Sequence, residues 1–192
     1  TVGTVRQVHV TGTVISSSPP GSLCGTSATS ASPLLIDQCS VVVTTDQSFS
    51  GISALSKNLT VTKCVVKMTF TVNQTTMLVI GRVTAGGTVT VTDVFGSLTT
   101  PGGISGFVRD EAADTTVSIT RCAFVASAGA GNCALYSTSG GLSGNLSITD
   151  TYLAVNDAQT THNLVQFGST GLLTLTRCHV VANGALLDNS SG

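Results

Sequence analysis

The chain is poor in the residues that usually carry chemistry. Of its 192 residues none is tryptophan, aromatics make up 4% and charged residues 9%, against an average of about 25% charged in soluble domains. A net charge of −1 argues against nucleic acid or an anionic membrane as partner, since both are held by an excess of Lys and Arg. No apolar run approaches the roughly 20 residues that span a bilayer, so this segment is not expected to insert into a membrane. The six cysteines, Cys24, Cys39, Cys64, Cys122, Cys133 and Cys178, include no Cys-x-x-Cys pair, which removes zinc-ribbon and thioredoxin-type readings. No amphipathic helix of useful length is visible either.

What the chain does have is a phrase said five times: Leu59-Thr60-Val61-Thr62-Lys63-Cys64, Val89 to Val94, Val117 to Cys122, Leu146 to Thr151 and Leu173 to Cys178. Each reads as a strand of period two, apolar on one face and Ser or Thr on the other. The stretches Val8 to Thr13 and Leu34 to Cys39 fit the same frame. Taking the last residue of each phrase as an anchor gives Thr13, Cys39, Cys64, Val94, Cys122, Thr151 and Cys178. A second apolar stretch follows most anchors, as at Val41-Val42-Val43 and Tyr152 to Val155. A third comes later, as at Ile52 to Leu55 and Leu164 to Phe167. Glycine-rich turns such as Gly86-Gly87 lead back to the phrase. The repeat predicts an all-β, single-domain parallel β-helix of about seven coils with three short strands per coil. Right-handed winding is expected. Residues 1–192 would be one such domain or a fragment of a longer solenoid. An antiparallel β-sandwich is the rival fold, but it has no reason to repeat one phrase.

Stacked coils lie about 4.8 Å apart, which turns sequence columns into ladders. Leu59 and Val61, with their equivalents through Leu173 and Leu175, are expected to face inward. The anchor column leaves two readings. Its cysteines serve as compact hydrophobes, or Cys39 and Cys64 on neighbouring coils form a disulfide. The residue before each anchor gives Lys63, Asp93, Arg121, Asp150 and Arg177, with signs alternating strictly. This charge ladder would fix register, because a slip of one coil sets like charges side by side.

The outward positions of the phrase hold Thr60, Thr62, Thr90, Thr92, Ser118, Thr120, Ser147, Thr149, Thr174 and Thr176. Glycoside hydrolysis needs two facing carboxylates, and only Asp37 offers one in an equivalent place, so no catalytic residue is assigned. His9, His162 and His179 are expected on different coils and columns, and the acidic turn Asp110, Glu111, Asp114 matches no familiar calcium loop. No metal site and no cofactor are expected. The Thr columns form a flat array of hydroxyls and methyls that resembles the Thr-x-Thr faces of β-solenoid ice-binding proteins. Four sequons, at Asn58, Asn73, Asn145 and Asn189, fit N-glycosylation of a secreted protein.

The phrase Leu/Val-Thr/Ser-Val/Ile-Thr-Lys/Arg-Cys followed by an apolar strand resembles the coil repeat of pectin-lyase-like right-handed β-helices. The low-charge Ser/Thr/Val/Gly texture resembles the dispersed-gene-family surface proteins of trypanosomatids. The resemblance implies a non-enzymatic extracellular or cell-surface module, structural or adhesin-like, with a protein or glycan surface partner. Two alternatives accompany it. One is a filament subunit, in which identical copies stack head to tail through open solenoid ends, since no polar cap is evident. The other is ice or glycan binding through the Thr-rich face.

Overall fold

The computed structural model describes residues 3–14, 21–22, 33–47, 49–53, 56, 58–72, 77–81, 87–102, 106–110, 116–128, 136–138, 145–157, 163–166, 172–181 and 185–188. The chain is a parallel β-solenoid. It passes in rotation through three seven-stranded sheets, so that every third strand falls in the same sheet. The first sheet stacks Gly3–Arg6, Leu34–Asp37, Asn58–Thr62, Thr88–Thr92, Thr116–Thr120, Leu146–Thr149 and Leu173–Thr176. The second stacks His9–Val14, Ser40–Thr45, Val65–Phe70, Phe95–Thr100, Ala123–Ala128, Tyr152–Asp157 and His179–Val181. The third runs from Gly21–Ser22 through Phe49–Ser53, Met77–Gly81, Gly106–Asp110, Tyr136–Thr138 and Asn163–Gln166 to Ala185–Asp188. Every pairing is parallel.

Period-two alternation produces the core directly. In the first sheet Leu34, Leu59, Val89, Val117, Leu146 and Leu173 share one column. Ile36, Val61, Val91, Ile119, Ile148 and Leu175 share the next. All but Leu173 and Leu175 are buried, and those two pack against the same cluster. Each fully buried aliphatic side chain contributes about 1.5–3 kcal/mol. The second sheet supplies Val41, Val66 and Leu153 in one column with Gly96 and Phe124. The third adds Ile52, Phe107 and Val108. The Phe107 and Phe124 rings meet at 4.9 Å between centroids.

The anchor column differs from the sequence expectation at its first member. His9 pairs with Ser40 and Thr13 with Thr44, so Thr13 lies in the second sheet, six positions past the bend at Gln7. Val8 aligns with Cys39 instead, because Arg6 pairs with Asp37. The physical reason is that both sheets have period two, so Val8 to Thr13 alternates like the phrase while belonging to the following strand.

The bend before each anchor has a fixed form. Gln7, Gln38, Lys63, Asp93, Arg121, Asp150 and Arg177 all adopt left-handed backbone, with φ between 49° and 57°. That conformation costs an L-residue roughly 1–2 kcal/mol. The cost is met by hydrogen bonds that run unbroken around the corner. The amide of Lys63 donates to the Thr92 carbonyl at 3.1 Å, and that of Val65 to the Cys39 carbonyl at 3.0 Å. The same pair of bonds recurs around Gln38, Asp93, Arg121 and Asp150.

The anchor side chains close the corner from inside. The Cys64 thiol donates to the Thr62 carbonyl at 3.2 Å, and the Cys122 thiol to that of Thr120 at 3.3 Å. The Thr151 hydroxyl replaces the thiol and donates to the Thr149 carbonyl at 2.9 Å. The amide of Cys39 points at Cys64 Sγ, 3.4 Å away on the next rung. Cys39 and Cys64 are free, buried thiols, so of the two readings the disulfide is not formed and the cysteines sit as compact buried side chains. In-register parallel rungs aim both Cβ atoms the same way, and each sulfur turns to a carbonyl rather than to its neighbour. Cys24 and Cys133 lie outside the described residues.

Candidate binding face

The outward columns of the first sheet are assembled as the repeat requires. Thr60, Thr90, Ser118, Ser147 and Thr174 form one column, and Thr62, Thr92, Thr120, Thr149 and Thr176 the other. Their neighbours lie about 4.8 Å apart between rungs and about 6.7 Å along each strand. Most of these side chains are half-buried and Thr174 is exposed. The columns begin differently: Leu35 pairs with Thr60, and Asp37 with Thr62. Asp37 does occupy an outward register, yet it is only 6% exposed. Arg6 on the preceding rung covers it, with Nε 2.8 Å from Oδ2. The one carboxylate on this face is thus tied into an ion pair.

Beside this face runs the charge ladder, its members on successive rungs. Arg121 grips Asp93 with two parallel bonds, Nε to Oδ1 at 2.8 Å and Nη2 to Oδ2 at 2.9 Å. Arg177 grips Asp150 in the same fork, with Nη2 to Oδ2 at 2.7 Å. These hydrogen bonds hold both carboxyls below the ordinary range, and the paired guanidiniums are correspondingly harder to deprotonate. Lys63 adds a weaker pull on Asp93, and Arg121 on Asp150. At the uncharged end Gln7 Nε2 donates to Gln38 Oε1 at 3.3 Å, continuing the column with neutral partners.

Burial pushes the thiols of Cys64 and Cys122 up to about 11. They are structural donors held away from reactive, ionised form.

The second sheet carries an outward column that the sequence reading passed over: His9, Ser40, Val65, Phe95, Ala123, Tyr152 and His179. His9 and His179 therefore share a column, against expectation. They stand at its opposite ends, six rungs or about 29 Å apart. Phe95 and Tyr152 are 36% and 39% exposed. Lys67 Nζ sits 5.7 Å from the Phe95 ring centroid, and the Tyr152 and His179 rings stack at 5.5 Å and 14°. The signal was present in the sequence as Phe95 and Tyr152 two residues after Asp93 and Asp150.

Of the sequons, Asn58 and Asn145 are described, and both stand at the entry to a first-sheet strand. Asn145 is exposed. Asn58 Oδ1 accepts from the Thr88 amide and hydroxyl at 3.2 and 3.0 Å. Asn73, Asn189 and His162 lie outside the described residues, as do Glu111 and Asp114 of the acidic turn, while Asp110 ends a third-sheet strand. Among the described residues no group of three His, Cys, Asp or Glu side chains could hold a metal ion, and no helix is long and apolar enough to cross a membrane. Comparison of the chain with protein-family models, curated proteins and solved structures finds no match in any of the three.

Proposed function

We propose that the chain is a non-enzymatic structural module of an extracellular or cell-surface protein, a rigid solenoid that presents neutral hydroxyl-rich faces for adhesion. The observation that carries this reading is the pair of aligned outward columns from Thr60 to Thr174 and from Thr62 to Thr176. A face built this way offers donors, acceptors and methyl groups in a fixed lattice, with little net charge to select against a partner. The coil pattern resembles pectin-lyase-like right-handed β-helices, and the composition resembles trypanosomatid dispersed-gene-family surface proteins; both resemblances support a cell-surface setting. The exposed Asn145 and the half-buried Asn58 would carry glycans there.

Retention of chain-coated beads on cultured animal cells under flow tests the adhesive role. Replacing Thr62, Thr92 and Thr120 together by Val removes three hydroxyls while keeping shape and strand propensity. Reduced retention supports the reading; unchanged retention removes this face from it. Electron microscopy of the purified chain should show discrete short rods, whereas long unbranched fibres would favour the filament alternative.

The lattice also favours ice as a second ligand class, because hydroxyls recur at nearly constant intervals in two directions. Thermal hysteresis that disappears in Thr120→Lys would support it. A wild-type chain with no hysteresis would exclude it.

A further inference from the structure

The outward column of the second sheet contains a gap of one rung between two aromatic rings. Phe95 pairs with Ala123, and Ala123 with Tyr152, so the two rings stand on either side of an alanine. Two rungs separate them, about 9.6 Å. The ring faces turned away from the gap are occupied. Lys67, from the rung before Phe95, places Nζ 5.7 Å from the Phe95 centroid. His179, from the rung after Tyr152, stacks on the tyrosine at 5.5 Å and 14°. Both of these contacts come from the rungs outside the pair, and neither comes from the Ala123 rung between them.

Aromatic rings stack favourably at centroid separations of about 4.5–7 Å. Half of the two-rung interval is about 4.8 Å, so a single additional ring fits between Phe95 and Tyr152 in stacking contact with both. Ala123 supplies only a methyl as floor. Phe95 and Tyr152 are 36% and 39% exposed, so both rings are accessible from solvent beside the alanine.

The bend that leads into these three strands is charged. Two residues upstream on the same three rungs stand Asp93, Arg121 and Asp150. Arg121 uses Nε and Nη2 on Asp93, while a guanidinium has five N–H donors in all. A carboxylate accepts from more than one donor as well. This fork of fixed donors and acceptors matches adjacent hydroxyls on a ring better than it matches a plain hydrocarbon edge.

We propose that Phe95, Ala123 and Tyr152 form a slot for one pyranose ring of a neutral oligosaccharide, sandwiched between the two aromatics with its hydroxyl edge toward Arg121 and Asp93. The slot deepens the adhesive reading by naming a ligand class, and rests on it only for the biological setting. It uses the second sheet, whereas the bead experiment alters the first. A slot without adhesion, or adhesion without a slot, would therefore be told apart.

The chain has two tyrosines, Tyr136 and Tyr152, and no tryptophan, so tyrosine ring resonances report on the site with little background. Cellotriose, chitotriose and maltotriose are titrated into the intact chain, with p-cresol as an aromatic control and a neutral-glycan array as a wider screen. The expected result is a saturable shift of the Tyr152 ring signals by at least one oligosaccharide. Ala123→Phe should complete the aromatic stack, leave the melting temperature unchanged or higher, and abolish the shift. Tyr152→Ala, followed on the array, should weaken retention at least tenfold. A blank array with no saturable shift from the three sugars would overturn the proposal. So would a response to p-cresol alone, or sugar binding that persists in folded Ala123→Phe.

Discussion

A Cβ built on Gly96 would stand 2.6 Å from Cδ1 of Phe124 on the next rung and 3.0 Å from Cε1. The glycine is there because the Phe124 ring, itself in contact with Phe107, occupies the space a side chain would need. Its φ is not at issue; the constraint is volume.

Gly96→Ala is therefore expected to destabilise the chain by about 1–3 kcal/mol through overpacking. Phe124→Leu alone should also be destabilising. The double variant should be less destabilised than the sum of the two, since the smaller side chain makes room for the new methyl. Urea unfolding of the four proteins measures the coupling.

The free thiols make a second prediction. Cys64 and Cys122 keep their protons in the folded chain up to about 11, against 9.0 for an unperturbed thiol. Between those values the unfolded chain releases protons that the folded chain retains. Stability from these groups is thus full below about pH 9 and falls as pH rises toward about 11. Denaturant midpoints should drop across that window. Cys64→Val with Cys122→Val should flatten the drop. Alkylation at neutral pH should leave both thiols unmodified until denaturant is added, and peptide mapping should find no Cys39–Cys64 bridge.

The left-handed corners give a third. Lys63 has φ 53°, which glycine adopts freely. Relieving roughly 1–2 kcal/mol of backbone strain is offset by about 0.5–1 kcal/mol of added chain entropy in the unfolded state. Lys63→Gly should accordingly be neutral or mildly stabilising. Lys63→Val should be clearly destabilising, because a β-branched side chain is the worst fit to that region. Thermal melts rank the three proteins, and a valine variant as stable as wild type would refute the corner geometry.

The forked ion pairs give a fourth. Asp93 and Asp150 have carboxyls held below their ordinary value by Arg121 and Arg177. A depressed folded-state value means their contribution is present above the unfolded carboxylate range near 3.8 and is lost as pH falls through the lower folded value. Arg121→Asp should destabilise by more than loss of one pair, because it sets three carboxylates on consecutive rungs. Exchanging Asp93 and Arg121 should rescue only in part, since it puts Arg beside Lys63 and Asp beside Asp150. Added salt should shrink all of these differences.

Much of the fold could be read in the repeat. The phrase from Leu59 to Cys64 names its own inward and outward residues, and the structure keeps them in register from Leu34 to Leu175. Thr13 was misplaced because alternation has no memory of which sheet it belongs to. Phe95–Thr100 did not stand out as a second-sheet strand, because Gly96 interrupts its apolar pattern for the sake of a ring on another rung. The corner was equally hidden: Lys63, Asp93 and Arg121 look like surface charges, and nothing in their identity marks a positive φ.

The one-dimensional pattern settled the stacking of like upon like, since hydrophobic alternation at a near-constant interval can be buried in few other ways. It also settled the composition of the hydroxyl columns and the order of the charges. Whether neighbouring thiols would join, which acid each arginine would fork, and which rings would stand on either side of Ala123 depended on directions in space. Those directions come from parallel rungs aiming equivalent side chains the same way, a property of the assembled sheets that no single repeat contains.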